Sequence, residues 1–187
     1  MLNPDLLAPE KLRPLRREEY DRLVELGAFE DERIELLYGS LIEMTPQGAP
    51  HAEVIRRLNR MLVIAVGDRA IVQVQSPFAA SDDSEPEPDL AIVPTGDYSR
   101  SHPSQALLII EVADSSARKD RVLKAELYAS AGVPEYWLVD LARSVIEVRT
   151  KPLAGRYSEL ASRLRGEMLQ PLAFPDISVT VSDLLLG

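Results

Sequence analysis

The chain contains no cysteine, which excludes disulfides, thiolate nucleophiles and cysteine-based zinc sites and leaves the redox compartment open. It also lacks an apolar run long enough to span a membrane, the longest being the short stretches LVIAV and ALLIIEVA. The opening segment, MLNPDLLAPEKLRPLRREEY, has neither the apolar centre nor the small-residue cleavage site of a secretory signal, so the cytoplasm is the default expectation. No Walker loop, dinucleotide fingerprint, H-E-x-x-H or G-x-S-x-G elbow occurs, which removes several common catalytic signatures. Positive charge is scarce. With 21 Lys and Arg against 30 Asp and Glu, the net charge of −9 argues against a general nucleic-acid coat protein, whose phosphate contacts need clustered cations. Repeats and low-complexity linkers are missing too, so the 187 residues imply a single domain.

What is present is an ordinary globular composition, 45% hydrophobic and 27% charged. The charge is uneven. Asp82, Asp83, Glu85, Glu87 and Asp89 crowd into eight residues, while Arg56, Arg57 and Arg60 fall on one expected helix and Arg118, Lys119, Arg121 and Lys124 on another. The acid run reads as a solvated loop in which Asp89 alone is functional.

Hydrophobic periodicity outlines the elements. Residues 16–27 (RREEYDRLVELG) form a short helix closed by Gly27. RIELLYGSLIEMTP reads as a hairpin turning at Tyr38-Gly39-Ser40. From His51 to Val66, apolar residues recur with helical spacing until Gly67. AIVQVQSPFAA alternates like a half-buried strand, and DLAIV and ALLIIEVA are apolar enough to be central strands covered on both faces. A helix from about Arg118 to Ala131 follows, with Ser115 or Ser116 as its cap rather than a nucleophile. EYWLVD and SVIEVRT are two further strands, with Tyr136 and Trp137 in the core. The fold class is mixed α/β (α+β): a β-sheet core over about residues 33–140 with flanking helices, an N-terminal helix at 16–27 and a C-terminal extension at 141–187.

Pairing the two central strands antiparallel, with Asp89 opposite Glu111, aligns Leu90 with Ile110 and Ala91 with Ile109. Opposed residues share a face, with Cβ atoms roughly 4.5–5.5 Å apart. Two carboxylates that close repel unless a cation lies between them, and hard oxygen ligands favour Mg²⁺ or Mn²⁺. Such an ion polarises a phosphodiester and lowers the pKa of a bound water. A positive group is then wanted where charge builds in the transition state. The same-face residue two positions after Glu111 is Ala113 and cannot serve, so Lys124, on the following helix, takes that role, with Tyr128 one turn later on the same face.

Glu35-Leu36…Gly39, Met44-Thr45-Pro46…His51, Glu87-Pro88-Asp89, Ile110-Glu111-Val112, Asp120…Lys124…Tyr128 and, most specifically, the string GVPEYWLVD resemble the Uma-two-type restriction endonuclease family of the PD-(D/E)XK nuclease superfamily. The likeness runs from about Arg33 to Asp140 and continues weakly into FPDISVTVSDLL. It implies a restriction endonuclease-like fold, DNA as substrate, Asp89 and Glu111 as metal ligands, Lys124 as a displaced catalytic lysine, Glu35 as an upstream acidic ligand or supporting group, and His51 as a substrate- or water-positioning residue. Ala113 departs from the plain superfamily pattern. A homodimer is the expected assembly, because one small domain covers little duplex and symmetric dimers are the commonest oligomers. Two rivals stay open: a catalytically silent module of this fold that binds nucleic acid or protein, and a metal phosphoesterase acting on RNA or small molecules. His102 reads as a loop residue.

Overall fold

The computed structural model describes residues 10–114 and 117–185. Helix α1 (Arg17–Glu25) is followed by a hairpin of β1 (Ile34–Leu37) and β2 (Ser40–Glu43), then by the long helix α2 (Ala49–Val66). Strands β3 (Ile71–Val74), β4 (Leu90–Val93) and β5 (Leu108–Ala113) lead into a helix in three parts, Ala117–Lys119, Asp120–Lys124 and Ala125–Ser130, together called α3. Strands β6 (Glu135–Asp140), β7 (Val145–Leu153) and β8 (Arg156–Arg163) complete the main sheet. The tail adds a small ribbon, β9 (Met168–Leu169) with β10 (Val179–Thr180), and the short helix α4 (Val181–Leu184).

The sheet has six strands in the order β3-β4-β5-β6-β7-β8. β5 and β6 are parallel, joined by the α3 crossover, and every other neighbouring pair is antiparallel. Period-two alternation divides β4 and β5 between two apolar layers. Leu90, Ile92, Leu108, Ile110 and Val112 meet α2 through Val54, Leu58 and Leu62, while Ala91, Val93, Ile109 and Ala113 meet α3 through Ala125 and Tyr128. Both central strands are therefore buried throughout, as their continuous apolar sequences require. Each core side chain such as Leu58 or Leu62 contributes about 1.5–3 kcal/mol by leaving water.

Local chemistry explains where the expected boundaries moved. α2 begins at Ala49, two residues ahead of His51, because Pro50 has the backbone angle of a first helical turn. The strand expected over residues 70–80 stops at Val74. Gln75 has φ 47° and Pro77 follows, so the ladder cannot continue. Most of the acid run is not solvated: Ser84, Glu85, Pro86, Pro88 and Asp89 are buried, and Glu85 exchanges backbone hydrogen bonds with Leu36 of β1 at 2.8 and 3.4 Å. β8 has no counterpart in the sequence reading, since RYSELASR is too polar to show a core-facing stripe. Tyr136 and Trp137 are core residues, and the indole nitrogen donates to Glu135 Oε1 at 2.7 Å. The expected caps Ser115 and Ser116 lie outside the described residues. No helix among the described residues is long and apolar enough to cross a membrane.

Candidate active site

The register of the central strands places the carboxylates. Leu90 pairs with Ile110 and Ala91 with Ile109, so Asp89 stands opposite Glu111 one step further along. By the same alternation both belong to the sheet face covered by α3. Asp89 Oδ2 accepts the Val112 N–H at 2.8 Å and lies 3.0 Å from His51 Nε2, while its Oδ1 has a longer contact of 3.4 Å from Gln47. Glu111 Oε1 accepts from Lys124 Nζ at 2.9 Å and from the Tyr128 hydroxyl at 2.6 Å; its Oε2 accepts from the Asp89 N–H at the longer distance of 3.4 Å. The i, i+4 pair Lys124 and Tyr128 thus converges on one carboxylate oxygen.

Glu35 arrives from the hairpin. β1 turns into β2 through Tyr38 and Gly39, both with positive φ (50° and 71°), the geometry of a tight two-residue hairpin. A side chain on Gly39 would collide with Pro14. Glu35 is fully buried, with Lys119 Nζ 2.7 Å from Oε1 and Lys124 Nζ 2.9 Å from Oε2. One lysine, Lys124, therefore stands between two buried carboxylates, Glu35 and Glu111.

Burial sets the electrostatics. Asp89 is 7% exposed, Glu111 4% and Lys124 3%, so each charge depends on its neighbours rather than on water. Burial alone would depress the Lys124 ammonium, but Glu111 and Glu35 hold its pKa well above the usual lysine range. Burial pushes the Glu111 carboxyl upward and Asp89 pushes it further, against the pull of Lys124. Burial would raise Glu35 as well, yet Lys124 and Lys119 hold it below the usual carboxylate range. The Tyr128 hydroxyl is raised well above 10 by burial and by Glu111, so it stays a donor.

These groups line a pocket of about 100 Å³ whose rim includes Arg33, Gln47, Glu87, Asp114 and Lys119. Among the described residues no group of three His, Cys, Asp or Glu forms a full protein cage for a metal. Mg²⁺ does not need one, since it takes one or two carboxylates and completes its shell with water and phosphate. Asp89 Oδ1 and Glu111 Oε2, each with a long contact of 3.4 Å, fit that requirement in number and hardness. All five residues singled out in the sequence line this pocket or its floor: Glu35, His51, Asp89, Glu111 and Lys124. Lys119 and Gln47 were missed. Gln47 lies in an aperiodic loop, and Lys119 is five residues from Lys124, off the face that α-helical spacing links to it. His102 remains on its connecting loop, half-exposed, 3.8 Å from Glu85.

Comparison with known proteins bears on the family and the fold. A sequence profile of the family described as "Putative restriction endonuclease" (Uma2) matches residues 17–182. A crystal structure described as "a putative nuclease belonging to DUF820", from Anabaena variabilis ATCC 29413, is similar in fold, with a TM-score of 0.73 and 17% identity over 91% of this chain and 97% of that one. At that identity the likeness bears on the fold alone. No curated protein matches the chain. Since the profile covers the whole of the six-stranded sheet and every residue of the pocket, the chain belongs to the Uma2 family of restriction endonuclease type.

Proposed function

We propose that the chain is a metal-dependent endonuclease that hydrolyses phosphodiester bonds in DNA. One observation carries this reading: two opposed carboxylates, Asp89 and Glu111, share a pocket with a buried ammonium, Lys124, held 2.9 Å from Glu111. Asp89 and Glu111 would hold Mg²⁺ or Mn²⁺, which when bound would neutralise phosphate charge and lower the pKa of a coordinated water. Lys124 places a fixed positive charge where the phosphoryl group becomes more negative, and does so in a site shielded from water, where such charges act most strongly. His51 contacts Asp89 Oδ2 and, with the Val112 N–H, fixes the orientation of that carboxylate. Glu35 Oε1 accepts a hydrogen bond from Lys119 and Oε2 forms an ion pair with Lys124 at 2.9 Å without a hydrogen bond of its own, so in this reading it supports Lys124 from outside the metal's ligand set. The protein works in the cytoplasm as a homodimer, in which two copies of the pocket address the two strands of a duplex.

The rival reading is a catalytically silent module that retains the fold for binding. It is favoured by the net charge of −9 and by Ala113 in the position that a strand lysine would occupy. Cleavage assays with Mg²⁺ and Mn²⁺ on single-stranded, duplex and branched DNA, with RNA and nucleotide competitors, separate the alternatives. The nuclease reading expects metal-dependent DNA cleavage that Asp89→Ala abolishes. Cleavage that survives the substitution removes the proposed site; no cleavage of any substrate favours the binding module; preference for RNA or nucleotides favours a phosphoesterase of different scope.

A further inference from the structure

Lys124 stands 2.9 Å from both Glu35 Oε2 and Glu111 Oε1. A single ammonium cannot fully compensate two carboxylates buried to this degree, and leaving a buried charge without a full partner is costly. Glu35, with no solvent exposure at all, has the stronger need. Alone with Lys124, it would draw the ammonium towards itself and away from Glu111. Lys119 prevents that by meeting Glu35 Oε1 at 2.7 Å.

The helix is built to allow this. Residues five apart on a regular α-helix lie about 140° apart around the axis, at 3.6 residues per turn, and cannot converge on one carboxylate. In α3 the segment Asp120–Lys124 is a π-helical turn, in which the Ala125 N–H reaches the Asp120 carbonyl five residues back. The wider turn brings Lys119 and Lys124 onto one side. Such turns inside α-helices are frequent at functional sites. Lys119 is 30% exposed in its side chain, so it lies at the pocket rim while Lys124 lies beneath it.

We infer that Lys119 is a positioning residue: by compensating Glu35 it releases Lys124 to face Glu111, and the π-turn of α3 exists to bring the two lysines to the same carboxylate. The catalytic consequence rests on the nuclease reading above, but the placement of Lys124 does not.

Two readouts test this on the full chain. In metal-free protein, the ¹⁵N resonance of the Lys124 ε-ammonium, identified by its loss in Lys124→Met, should shift in Lys119→Met and return towards its original position in Glu35→Gln/Lys119→Met, where neither the pull nor its compensation remains. On the best DNA substrate, Lys119→Met should lower kcat about 10- to 100-fold, as expected for a displaced catalytic group, with KM within about twofold. Lys119→Arg should retain most of the rate, and the double variant should be faster than Lys119→Met. An unmoved Lys124 resonance in Lys119→Met overturns the inference. So does an unchanged kcat with raised KM and a shallower salt dependence of DNA binding, which would make Lys119 a phosphate contact instead. If Lys119→Met does not fold, Lys119→Arg and the double variant carry the comparison. If the wild type cleaves nothing, the nuclease reading fails while the resonance still decides the role of Lys119.

Discussion

Lys124 keeps its charge in a place that admits almost no water, and removing it would strand Glu111 and Glu35 together without a shared cation. Lys124→Met should therefore destabilise the metal-free protein by about 3–5 kcal/mol, the usual cost of breaking a buried pair from one side, measured by urea unfolding. It should also lower kcat by about 10²- to 10³-fold, comparable to losing one preorganised charge-stabilising donor. A variant as stable and as active as the wild type would remove Lys124 from both roles. Glu85 offers a separate test, away from the pocket floor. Burial, with Asp21 adding to it against Arg17, raises its pKa to about 7. An acid whose pKa is higher in the folded state binds more protons folded than unfolded, so stability declines as pH rises from its unfolded value through about 7. With the pull of Arg17, 3.8 Å away, already included in that value, the effect is on the order of 1–3 kcal/mol at pH 8. Melts of Glu85→Gln should show that this part of the decline is lost, with the variant more stable than the wild type at pH 8 and no more stable at pH 4. The opposite order at pH 8 would mean that Glu85 is ionised and well compensated.

The hairpin and α3 are the two elements that bring outlying groups to the sheet edge. Gly39 anchors the first, with φ 71° and no room for a Cβ beside Pro14. Gly39→Ala should cost about 1–3 kcal/mol through backbone strain alone and should also lower kcat, because β1 carries Glu35. Gly132→Ala is the matched control: φ is 76° there, but space is open, so thermal melts should show a loss of about 1 kcal/mol with kcat unchanged. Equal effects on kcat would mean that the hairpin does not position the pocket. Legibility in the sequence followed the same division. The β4–β5 register was readable because two short, continuously apolar strands have few ways to pair that also bring Asp89 and Glu111 together. The link from Lys124 to Tyr128 was readable from ordinary helical spacing. Lys119 was not, since a π-turn leaves no periodic mark. β8 was hidden because an edge strand at the rim of a sheet buries little, and its Ala154-Gly155 turn, with φ of 49° and 76°, lacks the usual Asn or Asp. The burial of Glu85 was hidden because it depends on Leu36, far away in sequence.

At the scale of the whole molecule, the tail is part of the core rather than an appendage. Leu169, Phe174, Ile177, Val179, Val181 and Leu184 share one apolar cluster with α2, so the sheet face opposite the pocket is sealed by residues that follow the last long strand. The net charge of −9 has its own consequence for a nucleic-acid enzyme. In the proposed nuclease reading, affinity for DNA comes from few local cations, so binding measured in Ca²⁺ should have a shallow salt dependence, with a slope corresponding to about two to four phosphate contacts. A much steeper slope would require an extended basic surface. In the proposed mechanism the sheet edge gathers Asp89 and Glu111 into a site for a hard divalent cation. Anomalous diffraction from crystals soaked in Mn²⁺ should show a manganese peak within bonding distance of both carboxylates; a peak elsewhere, or none at this pair, would rule the site out.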